Sequence, residues 1–295
     1  MTTLHKLLAL HYAYPLTLNK LHYLLRNIQT LNELETVSVS NLAQMINIKK
    51  ETAYTLKRTY VSLCQTDLLE FYASKDIEII PYTSDLYPKQ LFQLSDPPAV
   101  LYCKGDSNLL TAQNKIACIG SREATAYSAE AFKQIIPPLI QHHYVIVSGL
   151  AKGADTLAHR AAVHYGGKTI AVLGHGLETI YPRSNEQLAN HLSQHHLLVT
   201  EYPPHVGAKK HHFPMRNRII SGLSNALVVT EAALRSGTLI TTELALEQGK
   251  DVFAVPGPIT SLQSAGTNNL IREGAIPIWN GYQIIEELQM FQMKN

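Results

Sequence analysis

Four cations, Lys209, Lys210, Arg216 and Arg218, surround one aromatic ring, Phe213, within ten residues. Cations that track a phosphate backbone, beside a ring that stacks on a base, are the general requirement for holding a single-stranded nucleic acid. The same ten residues also have a bland reading, in which Arg218 pairs an acid and Phe213 plugs the core. Other chain segments shift the balance toward a site. Gly120-Ser121-Arg122 follows one predicted strand, and Arg183 lies in the loop after another, so these cations should converge on one edge. Small residues there let a ligand approach the backbone, and exposed amides at helix starts favour anions such as phosphate.

Other chemistry finds less support. Gly174-His175-Gly176 opens like a dinucleotide fingerprint, but Thr179 replaces the third glycine and the motif follows the third strand of its domain. No Walker A sequence is present. Asp155 and His159, four apart at a helix start, are read as a helix cap and a structural hydrogen bond in preference to a metal or proton-transfer pair. The remaining histidines show no metal-ligand spacing, so neither metal nor cofactor is expected. Ser236-Gly237-Thr238 either holds a phosphate or simply caps a helix. Both readings stay open.

The elements that must position these residues form a repeated strand–loop–helix pattern from residue 115. Predicted strands are Ile116–Ile119, Tyr144–Val147, Thr169–Leu173, Leu197–Thr200, Ala226–Thr230 and Val252–Val255. Most are short aliphatic runs without polar alternation, as parallel strands covered on both faces require. Helices are predicted at Tyr127–Gln141, Asp155–Tyr165 and Thr238–Gln248, whereas 209–218 reads as a loop. The fold class is therefore α/β: an extended Rossmann-like, doubly wound and mostly parallel sheet spanning 115–281. In such a sheet, ligands bind beyond the carboxyl ends of the strands, near the topological switch.

Residues 1–75 show apolar residues at helical spacing, with Ser40 as an expected N-cap. They read as a small N-terminal all-helical (SAM-like) domain. Residues 76–114, punctuated by Pro81, Pro88, Pro97 and Pro98, read as an extended connector joining the core. Residues 282–295 form a C-terminal helix and tail, with the helix at Tyr282–Met293. Residues 115–220 carry 11 Lys/Arg against 6 Asp/Glu, while 221–295 carry 4 against 7. A basic middle beside an acidic end suggests a polyanion site on one face. Cys64, Cys103 and Cys118 fit neither a disulfide framework nor a zinc site, which favours a reducing cytoplasm. No cleavable leader or membrane insertion is expected.

Taken in order, several segments resemble the DNA-processing protein A (DprA/Smf) family. They are Asp96-Pro97-Pro98-Ala99-Val100-Leu101-Tyr102, Gly120-Ser121-Arg122 and Ser148-Gly149-Leu150-Ala151-Lys152-Gly153-Ala154-Asp155. Ala171-Val172-Leu173-Gly174, Phe213-Pro214-Met215-Arg216-Asn217-Arg218-Ile219-Ile220, Ser236-Gly237-Thr238-Leu239-Ile240-Thr241 and Val252-Phe253-Ala254-Val255-Pro256-Gly257 continue the series. The resemblance implies a cytoplasmic homodimer that protects incoming single-stranded DNA and helps load a RecA-type recombinase during natural transformation. It implies a DNA pocket on Arg122, Arg183, Lys210 and Phe213, with Gly120, Ser121, Arg216, Asn217 and Arg218 lining or supporting it and Lys209 alongside. It also places self-association near 270–278, where Ile271 and Ile276 are the expected dimer contacts. The segment 1–75 resembles the family's variable N-terminal module. Some members carry a C-terminal winged helix, which is not expected here.

The competing class is a Rossmann-like nucleotide-binding or nucleoside-monophosphate-hydrolysing enzyme. There a glutamate stands three residues after the Gly-Thr threonine, whereas here Gly237-Thr238 is followed by Glu243. A third possibility is an adaptor with a vestigial pocket. The reading adopted is a DNA-binding protein without covalent chemistry.

Overall fold

A computed structural model describes residues 2–294; Met1 and Asn295, the outermost residues of the first and last expected segments, lie outside the described residues. The chain begins with five helices: α1 (Thr3–Ala13), α2 (Leu18–Asn27), α3 (Val39–Met45), α4 (Lys50–Leu63) and α5 (Leu68–Ala73). Their apolar faces bury Leu8, Leu10, Leu21, Leu24, Leu42 and Leu56 together. The Tyr60 hydroxyl, buried among them, donates to Leu31 O at 2.7 Å. The expected cap Ser40 lies inside α3. Ser38 caps instead, its Oγ accepting from the Asn41 amide at 3.2 Å, because Val39 already has helical geometry.

Residues 76–114 do more than connect. They supply β1 (Glu78–Pro81) and β2 (Val100–Gly105), an antiparallel pair whose second strand joins the large sheet. The helical bundle packs onto β2 through Val100 and Tyr102, and Tyr102 Oη lies 2.9 Å from His11 Nδ1. Burial holds the His11 imidazole down at a pKa of about 3.

The remaining elements alternate: β3 (Lys115–Ile119), α6 (Ala126–Gln141), β4 (Val145–Ser148), α7 (Ala154–His164), β5 (Thr169–Leu173), α8 (Glu186–His195) and β6 (Leu197–Thr200). There follow α9 (His212–Leu223), β7 (Ala226–Val229), α10 (Gly237–Glu247), β8 (Asp251–Ala254), α11 (Ala265–Arg272), β9 (Ile276–Pro277) and α12 (Gly281–Lys294). The sheet order is β1-β2-β6-β5-β4-β3-β7-β8-β9, parallel from β6 to β9 and antiparallel at β1 and β2.

Alternate residues of each strand serve opposite faces. Ile116 and Cys118 of β3 pack under α6, α7 and α12, whereas Ala117 and Ile119 pack under α9, α10 and α11. The chain winds outward from β3 through β4, β5 and β6, then returns to place β7 on the other side of β3. The topological switch thus lies between β3 and β7, where the loops after the two strands part.

Candidate nucleic-acid interface

Loops at the carboxyl ends of β3, β4, β5 and β7 form the walls of the site. The loop after β4 is held in an unusual shape: Leu150 is fully buried with φ +58°, a left-handed conformation that leucine rarely adopts. Asn185 braces it, Nδ2 donating to Leu150 O at 2.9 Å and to Thr156 Oγ1 at 2.8 Å, while Thr156 Oγ1 donates to Ala151 O at 2.6 Å. Asp155 Oδ2 accepts from the Ala151 amide at 3.3 Å, and His159 Nδ1 lies 2.7 Å from Thr169 Oγ1. His159 is thus held in a structural hydrogen bond as expected, whereas Asp155 is not the helix cap: the N-cap of α7 is Gly153, and Asp155, inside the first turn, ties down the preceding loop.

The segment expected to be a loop becomes helical at His212. Pro214 reads as a breaker in sequence, yet it falls in the first turn, where its missing N–H has no intrahelical acceptor to lose. The helix sorts the basic cluster onto different faces. Phe213, Arg216, Asn217 and Ile220 stand at i, i+3, i+4 and i+7 and line one cavity.

Arg216 is nearly fully buried. Its Nη1 donates to Gly149 O and Val172 O, and its Nε donates to Asn217 Oδ1 at 3.1 Å. The absence of a Cβ at Gly149 leaves room for the Arg216 guanidinium, which any side chain there would displace. Burial lowers the guanidinium to a pKa of about 10, partly countered by the nearby Asp155 carboxylate; burial in turn raises Asp155. Arg218 turns away from this cavity and forms a buried ion pair with Glu201, whose carboxyl burial pushes up despite the adjacent cation. Arg218 therefore braces the fold beneath the edge, which is the bland reading of that residue.

Phe213 is half-buried and belongs to none of the apolar core clusters, so it does not plug the core. Its ring faces the Arg122 guanidinium at 5.6 Å and the Tyr181 ring at 5.6 Å. A Cβ at Gly174 would lie 3.0 Å from Phe213 Cδ1, so the glycine makes room for the ring. Arg122 and Phe213 form a shared wall between two cavities. On one side is a cleft of about 160 Å³ lined by Gly149, Lys152, His175 and Tyr181. On the other is a chamber of about 390 Å³ reaching the first turn of α10 at the topological switch.

Of the expected residues, the structure brings Gly120, Ser121, Arg122, Phe213, Arg216 and Asn217 to the chamber. Arg183, Lys209 and Lys210 are exposed on neighbouring loops but line neither cavity. Lys152 lies in a motif already noted and Tyr181 and Asn185 flank Arg183, but nothing in one dimension distinguishes them from their neighbours. Glu231 is engaged locally, accepting from Thr125 N at 2.7 Å, Thr125 Oγ1 at 2.8 Å and Ser128 Oγ at 2.7 Å, which places a carboxylate at the start of α6. Ile271 and Ile276 are half-buried against the core near β9, which ends the sheet. Among the described residues no helix is long and apolar enough to cross a membrane, and no group of three or more His, Cys, Asp or Glu is arranged to hold a metal ion.

The comparisons with known proteins agree with this architecture. DNA processing protein DprA of Bacillus subtilis is 45% identical over 221 residues, covering 75% of this chain and 74% of that protein. Protein Smf of Escherichia coli is 41% identical over 250 residues, covering 80% and 67%. The X-ray structure of DNA processing protein A from Streptococcus pneumoniae superposes with a TM-score of 0.80 at 36% identity, covering 97% of this chain and 98% of that one. A structure describing the single-stranded DNA binding mode of DNA processing protein A from Helicobacter pylori gives 0.65 at 32% identity, covering 72% and 96%. The family profile described as DNA recombination-mediator protein A matches residues 78–289, and the chain belongs to that family.

Proposed function

We propose that this chain binds single-stranded DNA along the edge formed by Arg122, Phe213 and the loop carrying Lys209 and Lys210, and performs no covalent chemistry on it. The observation that carries the reading is the half-buried Phe213 ring, faced by Arg122 and Tyr181 at the mouth of two cavities. A ring outside every core cluster is available to a base, and the adjacent cations suit the phosphates. Arg183 extends the basic edge, while Gly120, Ser121, Asn217 and the buried Arg216 shape its floor. Support also comes from the Helicobacter pylori relative, whose structure concerns single-stranded DNA binding. The buried Asp155 and His159 are occupied by internal contacts and form no nucleophile–base pair.

In this reading the protein acts in the cytoplasm, protects incoming single strands during natural transformation, and helps load a RecA-type recombinase. It does so as a homodimer formed near Ile271 and Ile276, where the two-residue strand β9 leaves the sheet edge open among the described residues. Residues 1–75 act as an accessory helical domain, 76–114 join it to the 115–281 DNA-binding domain while adding β1 and β2 to its sheet, and 282–295 form a C-terminal helix and tail. Fluorescence anisotropy with labelled oligothymidine and with a duplex of equal length tests the binding. The single strand should bind more tightly; equal or weaker affinity than the duplex overturns the reading.

A further inference from the structure

The Ser236-Gly237-Thr238 turn opens α10, an eleven-residue helix, directly onto the larger chamber. The starts of α6 and α10 differ in a telling way. At α6, the Glu231 carboxylate already occupies the first turn. At α10, the N-cap Ser236 makes no side-chain capping bond, and its Oγ is buried without a partner. Thr238 and Thr241, 8% and 3% exposed, line the chamber with hydroxyls that make no hydrogen bond among the described residues. Their neighbour Thr242, by contrast, donates to Thr238 O at 3.2 Å. A Cβ added at Gly237 would meet only open space. Arg122, Arg216 and Arg235 share the lining. Of its two carboxylates, Asp155 is tied to the Ala151 amide and lies beside Arg216, and Glu123 is exposed. Unpaired amides at a helix start, free hydroxyls and a surplus of cations constitute an anion site.

We propose that the first turn of α10 is a phosphate site that takes the terminal phosphate monoester of a nucleotide. The chamber's volume of about 390 Å³ lies within the roughly 300–1,000 Å³ usual for small-ligand pockets. The assignment deepens the single-strand reading and rests on it for one source of the phosphate. With Arg122 and Phe213 as the shared wall, a strand whose base enters the smaller cleft can deliver its 5′ end to the chamber. A free mononucleotide offers the same group.

The test compares 5′-phosphorylated with 5′-hydroxyl oligothymidine, and thymidine monophosphate with thymidine, on wild-type protein, Gly237→Asp and Thr238→Val/Thr241→Val. The aspartate has room and suits a helix start, so melting temperature should hold while the phosphate is repelled. Wild type should prefer the phosphorylated ligand by roughly tenfold, and both variants should lose that preference. A preference confined to the oligonucleotide assigns the site to strand ends; one shared by the mononucleotide extends it to free nucleotides. No phosphate preference in either pair, or a preference that survives in both folded variants, overturns the proposal. If neither oligonucleotide binds, the single-strand reading fails, and the mononucleotide pair alone then decides the chamber.

Discussion

Replacing Phe213 by alanine separates a ring that packs from a ring that binds. The side chain is half-buried, lies outside all the core clusters, and touches Arg122, Tyr181 and the glycine at 174. Stacking of one base on such a ring contributes about 1–3 kcal/mol. The Arg122–ring interaction adds about 0.5–1 kcal/mol by holding the guanidinium in place. Together these give about 1.5–4 kcal/mol, or roughly 10- to 1,000-fold in Kd for oligothymidine. The stability cost should stay at about 1 kcal/mol, below that of a fully buried phenylalanine at about 3–5 kcal/mol. Anisotropy titrations and thermal melts on the same preparation read both quantities, and Phe213→Trp should retain most of the affinity. Normal affinity in a well-folded Phe213→Ala protein refutes the stacking argument; a collapse in melting temperature with normal binding by the folded fraction returns the ring to the core.

Arg122→Ala and Lys210→Ala should each weaken single-strand binding and flatten the log–log salt dependence by roughly 0.7, with unchanged melting; an unaltered slope in both removes them from the interface. Arg218→Ala should behave oppositely, costing about 3–5 kcal/mol of stability by stranding Glu201, so a stable variant with impaired binding contradicts its bracing role. Ile276→Glu should produce a folded monomer that binds DNA less tightly, and a folded dimer by light scattering rules out that contact. His11 and His159 are held by burial at about 3, below their ordinary value, so they favour folding above pH 6.5 and lose that contribution as pH falls toward 3. Their proton uptake on unfolding makes stability fall as the solution is acidified, opposed by Asp155 and Glu201, whose raised values favour the folded state at lower pH. Urea midpoints should fall from pH 7 to pH 5 and fall less in His159→Gln; parallel curves contradict the assignment.

Strands β3 to β8 are the most legible elements, because they are short, mostly aliphatic runs buried on both faces. The strand-end loops followed directly, since a parallel sheet places all those ends on one side. The α9 helix was hidden by Pro214, whose tolerance depends on lying in the first turn and so on where the helix starts. Once that helix forms, its 3.6-residue period separates Arg216 from Arg218, a division that a basic run in one dimension does not display. The strands β1 and β2 were obscured by the prolines around them, and β2 owes its place to pairing with β6, a contact about a hundred residues away in sequence. Thr238 and Thr241 carry no signature as a pair. They matter because the sheet order brings the β3 and β7 loops face to face around them.

Single-stranded DNA bound to the strand-end edge should lie beside Phe213. Photocrosslinking of bromodeoxyuridine-substituted oligothymidine, followed by peptide mapping, locates the strand directly. Adducts should fall in the peptides carrying Tyr181 and Phe213 and be lost on Arg122→Ala. Adducts confined to the helical segment 1–75, or spread without preference over the surface, contradict that placement.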